Sequence, residues 1–448
     1  MTSVRNMTSG KPGILIFSFA FPLMIGNLFQ QLYTVADGMI VGQVLGVTAI
    51  ASVGATEWLI WMMTSIVQGF TQGFSIRMAQ EFGAERPKQL RNVIANSTFL
   101  AAGIALLMLI CGQFFSAPVL HILNTPDTVF PYALHYMRTI FWGIPITMAY
   151  NLFASILRSL GDGKTPLYAM VFAAVTNVLL DLLFVAVLDL GIASAAAATV
   201  IAQFFAGVFC FIRITKIDIL KMSREDLPLH KQICTQLLAL GFPMAFQNTM
   251  ISVGGLIVQS VVNGFGVLFM AGFTSANKLY GMLEVAGTSY GFAVTTYTGQ
   301  NLGAGKPARI RQGYRISMVI AIITSLVIMF IMVFGGKAIL SCFISGDAKT
   351  VADTLAIGYH YLFIMSVCLP ILYYLHVTRS CIQGMGNTVL PMVSGIAEFV
   401  MRTGSCLLLP RLIGQEGIFY AEILAWTGAD IVLFFSYLYC IRKHPIFR

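Results

Sequence analysis

The chain has 448 residues, of which 57% are hydrophobic and 10% charged, and its mean hydropathy is +0.82. Soluble domains carry about 25% charged residues, so this composition excludes one and points to a polytopic membrane protein. The net charge of +9 does not indicate nucleic acid, because the basic residues fall in short segments between apolar runs. Eight cysteines without a CxxC or Cys/His cluster support neither a disulfide framework nor a zinc site, and read as free thiols.

Hydrophobic runs divide the sequence into twelve predicted spans, at 14–41, 49–76, 92–115, 131–157, 167–188, 191–212, 234–262, 267–297, 314–336, 356–378, 388–410 and 417–441. The first is too long for a cleavable signal peptide and lacks the small-residue cleavage site. Its polar residues Asn27, Gln30, Thr34 and Asp37 are spaced 3, 4 and 3 apart, so they share one helical face. A central Asp facing lipid costs at least about 2.5–3.5 kcal/mol. That face must therefore meet protein or water, and Pro22 is expected to kink the helix. The second span carries a stripe of Glu57, Trp61, Ser65, Gln68 and Gln72. The fourth places Tyr136, Thr147 and Asn151 near one face. In the fifth, Asn177 and Asp181 are i,i+4 neighbours, as are Thr199 and Gln203 in the sixth. These spans can enclose a polar chamber around Asp37 and Asp181. Gln68, Gln72, Thr147 and Gln203 read as interhelical hydrogen-bond fixtures, each worth about 0.6 kcal/mol in a membrane bundle. Structural fixation does not need carboxylates, whose burial is costly, so Asp37 and Asp181 read as functional.

After a polar connection at 213–233 the pattern repeats. AQEFGAERPKQLR at 79–91 matches GQNLGAGKPARIR at 299–311, and FPLMIGN at 21–27 matches FPMAFQN at 242–248. ILRSLGDGKTP at 156–166 matches CIQGMGNTVLP at 381–391 more weakly. Six spans plus six make parallel repeats: an N-terminal lobe at 1–212, a linker at 213–233 and a C-terminal lobe at 234–448. In that register Asp37 falls on Val258, Asn177 on Arg402 and Asp181 on Cys406, so the second half lacks the acid pair. Its own intramembrane acids are Glu284, Glu398, Glu422 and Asp430. Glu398 is one turn from Arg402 and neutralises it, whereas Glu284 and Lys278 do not share a face. Asp430, on one face with Glu422 and Trp426, is the leading rival. The intramembrane cations read as Arg138, Lys278 and Arg402, and His360 and His376 as packed side chains.

Of the 27 Lys and Arg residues, 21 fall in the termini and alternate loops, three in the opposite loops and three inside spans. The positive-inside bias puts both termini and the linker in the cytoplasm. No GxxxxGK[ST] motif occurs, and GDGKTP at 161–166 reads as a tight turn. Without a catalytic constellation or metal-ligand spacing the chain is not expected to be an enzyme. Its energy must come from an ion gradient or a partner ATPase.

The six-plus-six repeat, the Phe-Pro pairs of the first and seventh spans, the QEFGAERP and QNLGAGKP loops and GDGKTP together resemble the multidrug and toxic compound extrusion (MATE) family over about the whole chain. The resemblance implies an all-α polytopic membrane fold of twelve transmembrane helices, in two pseudo-symmetric six-helix bundles forming a V around a central cavity. It implies antiport of H⁺ or Na⁺ against amphipathic organic cations by alternating access. One bacterial branch of the family couples through an Asp in the first helix and an Asn-x-x-x-Asp in the fifth, a pattern that Asp37, Asn177 and Asp181 match. Tyr136 and Thr199 then complete the coupling site, and Na⁺, if it is the ion, would bind Asp37, Asn177, Asp181 and Thr199. Gln30, Thr34, Asn27, Asn151, Glu57, Trp61 and Gln68 are expected to line the substrate cavity. The expected setting is the plasma membrane, as a monomer with no cofactor and no nucleic-acid partner. The alternatives are a lipid-linked oligosaccharide flippase, which would want a basic intramembrane groove, and more remotely a channel or receptor.

Overall fold

The computed structural model describes residues 4–123, 125–341, 344 and 348–443. Cys342 and Arg448 lie outside the described residues, and the seven cysteines within them are free thiols. The helices are α1 (Pro12–Leu45), α2 (Val47–Gly83), α3 (Pro87–Ile122), α4 (Phe130–Trp142), α5 (Ile144–Ser159), α6 (Lys164–Asp181) and α7 (Ile192–Thr215). The second half repeats the order with α8 (Lys231–Asn263), α9 (Val267–Gly303), α10 (Pro307–Ser341), α11 (Ala348–Val367), α12 (Leu369–Gly384), α13 (Val389–Ile413) and α14 (Ala421–Lys443). Pairs α4/α5 and α11/α12 are each one span, bent by 45° and 48°. Among the described residues the helices thus form twelve spans.

Eight helical segments are apolar and long enough to cross a bilayer alone, and the bent pairs raise that to ten. The remaining two, α2 and α9, have 37 residues each, and their hydropathy is lowered by Glu57, Gln68 and Gln72 on one and Lys278 and Glu284 on the other. Several helices overrun the predicted spans: α3 starts at Pro87, a residue suited to the first helical turn, and includes the charged segment ahead of the apolar run. α1 continues through Pro22 as a single helix.

The repeat is written in the backbone as well. Gly46, Gly161 and Gly191 have φ of 80°, 78° and 76°, and Gly266, Gly386 and Gly414 answer with 89°, 84° and 78°. In the turn after α2, Glu85 takes the left-handed conformation at φ 56°, where the matching turn has Gly305 at φ 68°. A non-glycine residue there costs about 1–3 kcal/mol.

Two compact units are present: residues 1–7 with 21–246, and residues 8–20 with 247–448. α1 is thus divided between Ala20 and Phe21, and α8 between Phe246 and Gln247. The first unit packs around Phe74, Met108, Met137, Met148 and Leu152. In it α2 and the start of α8 touch backbone to backbone: a Cβ on Gly69 would stand 2.4 Å from Ala245 Cα, and one on Gly73 2.4 Å from Gly241 Cα. Only glycine permits that approach.

The 213–230 connection is clasped to the first unit. Arg91 pairs with Asp226 at 2.8 Å, and Asn96 Oδ1 accepts from the His230 N–H at 2.8 Å. In the GDGKTP turn, Asp162 Oδ1 accepts from the backbone N–H groups of Lys164 and Thr165 at 3.1 and 3.0 Å, capping α6. Its other oxygen lies 3.7 Å from Arg213. The glycine-rich motif is a helix cap.

Candidate functional site

Within the first unit, the end of α6 sets the chemistry. Asp181 is its last residue and fully buried, and the chain passes directly into a π-helical turn, Leu182–Val187. Such turns widen the helix locally and recur at functional sites. One turn earlier Asn177, also buried, donates to Thr199 Oγ1 of α7 at 3.3 Å, and Thr199 donates onward to the Ala195 carbonyl at 3.3 Å.

From α1, the Asp37 carboxyl comes within hydrogen-bonding reach of Asp181. No N–H or O–H among the described residues bonds Asp37 Oδ1, either Asp181 oxygen or Asn177 Oδ1, all four being buried. Buried polar atoms are nearly always satisfied, and ionised carboxylates only accept. A pocket in which no donor bonds these carboxyl oxygens can be completed by a proton shared between them, or by a cation. The phenol of Tyr136, buried on α4, and that of Tyr33 on α1 lie within electrostatic reach of both acids. Tyr136 packs with Val41, Val185 and Ala195, which closes the apolar side of the pocket.

The structure therefore brings Asp37, Asp181, Asn177, Thr199 and Tyr136 together. Tyr33 was missed by the sequence reading, though its position one turn before Asp37 is the signal that finds it. Glu57 is exposed on α2 and faces Tyr136 electrostatically. Gln30 and Thr34 are exposed on α1, with the Thr34 hydroxyl bonded to the Gln30 carbonyl at 3.0 Å, and Asn27 is half-buried. Trp61 is exposed, 5.7 Å edge-to-face from Trp58, and Gln68 is half-buried. Asn151 donates to the Thr147 carbonyl at 2.8 Å, and Thr147 to Gln203. Among the described residues, none of Trp61, Gln68 and Asn151 bonds either acid.

The second unit is built differently at the matching depth. Glu398 sits between Arg379 at 2.8 Å and Arg402 at 2.9 Å, and Arg402 also pairs with Glu422 at 2.7 Å. With its amide oxygen turned toward Arg379, Gln247 accepts from that guanidinium at 3.0 and 3.2 Å. The expected Glu398–Arg402 neutralisation is present, but the list of intramembrane cations needs correcting. Arg379, assigned to a loop because the predicted span ended at 378, is buried inside α12. His376 Nε2 lies 3.4 Å from Glu284, and His360 Nδ1 3.7 Å from Glu416.

A bundle of helices long and apolar enough to cross a membrane, with a buried acid pair inside one unit, has the build of a membrane transporter. A sequence profile of the MatE family matches residues 22–183 and 243–408, one segment in each repeat, and the chain belongs to that family of multidrug and toxic compound extrusion transporters. It is 28% identical over 435 residues to the probable multidrug resistance protein YpnP of Bacillus subtilis, covering 97% of this chain and 96% of the relative. A FAD transporter of Shewanella oneidensis is 23% identical over 323 residues, 71% of each chain. The fold matches a crystal structure of MATE in complex with MaL6 with a TM-score of 0.91 at 22% identity, covering 99% of both chains.

Proposed function

We propose that the chain is a secondary multidrug antiporter of the plasma membrane, exchanging H⁺ for amphipathic organic cations, with Asp37 and Asp181 as the coupling site. The observation that carries this reading is the set of four buried acceptor oxygens without a bonded donor, which belong to the two acids and Asn177. With a proton the two carboxyls hydrogen-bond and the pocket closes on itself. Without it, two like charges stand in a dry site and repel strongly. Proton loss and substrate entry thus favour one arrangement of the pocket and proton gain the other, which is what alternating access requires.

Na⁺ is the second reading, since the free acceptors are hard oxygens. A cation needs a shell of several such oxygens, however. A proton needs only the two carboxyls. The names of relatives such as YpnP support drug export. An oligosaccharide flippase, or a transporter of an anionic nucleotide like the FAD transporter, would want a basic intramembrane groove; Arg379 and Arg402 are neutralised by Glu398 and Glu422, which leaves only Arg138 and Lys278 of the cations named above.

Ethidium efflux in everted vesicles, with pH and Na⁺ gradients imposed separately, tests the reading. Efflux driven by a pH gradient in Na⁺-free buffer is expected, and dissipating that gradient should stop it. Strict dependence on a Na⁺ gradient would make the acids cation ligands, and leakage indifferent to both gradients would indicate a channel.

A further inference from the structure

The second unit holds an acid that the charge network does not use. Asp430 lies mid-helix on α14, and its Oδ1 is buried with no hydrogen-bond partner among the described residues. The neighbouring donors are engaged elsewhere. The Thr427 hydroxyl bonds the Ile423 carbonyl at 2.8 Å, and the Tyr374 phenol is engaged with Thr378 and Tyr314. Arg379, the cation within electrostatic reach, is bonded to Glu398 and Ser394, and Glu398 adds a further negative charge to the surroundings of Asp430. Two guanidiniums face two carboxylates in that network, and Asp430 remains over.

Asp430 opens onto a cavity of about 330 Å³ between α12 and α14, whose other walls include Ile371, Tyr374, Phe434 and Phe435. Apart from Asp430 that lining is almost wholly apolar and aromatic. An inorganic cation would find one carboxylate and at most two hydroxyl oxygens there, those of Thr427 and Tyr374. A cation with apolar or aromatic substituents would find a carboxylate as counter-ion and aromatic side chains around it. Phe434 and Phe435 are 49% and 64% exposed, so the cavity is open on that side of α14.

We propose that the α12–α14 cavity is a binding subsite for a monovalent amphipathic organic cation, with Asp430 as counter-ion and Tyr374, Phe434 and Phe435 as walls. The inference rests on the substrate class proposed above and adds a place for it in the C-terminal unit.

Equilibrium dialysis of purified full-length protein against tetraphenylphosphonium tests it, with tetraphenylborate as the probe of the same shape and opposite charge. Wild type should bind the cation and not the anion. Asp430→Asn should weaken cation binding about tenfold or more, Phe434→Ala severalfold, and Asp430→Glu should restore most of it. Thermal unfolding of each variant identifies those that stay folded. If Asp430→Asn does not, the Glu and Phe434→Ala variants decide the matter. Unchanged affinity in folded variants, or equal binding of the borate, overturns the subsite. When that happens while pH-driven ethidium efflux persists in wild type, the antiporter reading stands and only the subsite falls. Wild type that neither binds tetraphenylphosphonium nor exports ethidium loses both.

Discussion

Asp37 and Asp181 lie more than 140 residues apart in sequence, yet their carboxyls come within reach of one another and can share a proton. Asp37→Asn and Asp181→Asn should therefore each abolish gradient-driven efflux without loss of the folded protein, since an amide supplies the N–H donor that the pocket lacks. Efflux assays on vesicles with matched protein levels check this. Arg379→Ala should behave in the opposite way, through stability. It leaves Glu398 short of one partner in a buried network, and breaking such a pair costs about 3–5 kcal/mol. A fall in Tm for Arg379→Ala, measured in detergent, is expected, and a Tm equal to wild type would show the network to be redundant. The two acids were legible in the sequence because an ionisable group inside a greasy run is an anomaly. Tyr33 was not, because a tyrosine in such a run is unremarkable until its neighbours are known. Arg379 was misplaced for a related reason: hydropathy falls before the helix ends.

At the scale of elements, the 213–230 connection is a fastened strap. The Ser223 N–H and the Arg91 guanidinium hold the Asp226 carboxyl below the ordinary carboxylate range. A group whose pKa is lowered on folding contributes stability above its unfolded value, and loses it as pH falls through the folded one. Asp226→Asn should therefore lower Tm at pH 7, and the gap between variant and wild type should narrow below about pH 4. A gap that does not change with pH would mean the carboxylate's charge is irrelevant. The spans themselves were readable from the apolar runs, twelve in number and in order. The bends at Gly143 and Cys368 were not, since the apolar runs continue through them without a break in pattern. At Gly143 an added Cβ would meet Val200 at 2.3 Å, so contact with α7 fixes what the local sequence leaves open.

For the whole molecule, the asymmetry of basic residues makes a topological claim. A single cysteine at position 221, introduced by Lys221→Cys in a Cys-free background, should resist impermeant thiol reagents in intact cells and react once the membrane is opened. Labelling from outside would reverse the orientation. The repeat gave the order of the two halves, and the family profile follows it segment by segment. Nothing in the hydropathy marks the points inside α1 and α8 where each helix passes from one compact unit into the other.

That division has a consequence for cutting the gene in two. A break within the connection near residue 222 looks harmless, since it severs only an exposed strap. The leading fragment, however, would lack Lys231–Phe246, the stretch whose Gly241 and Ala245 lie against Gly73 and Gly69 of α2. It would carry a glycine-floored trough with nothing in it. The trailing fragment would in turn lack Thr8–Ala20, where Gly13 meets Ile316. Neither piece should accumulate when expressed alone, yet the two expressed together should assemble and export ethidium, because each brings the segment that the other is missing. Stable accumulation of either fragment by itself would show that the borrowed helical ends are dispensable.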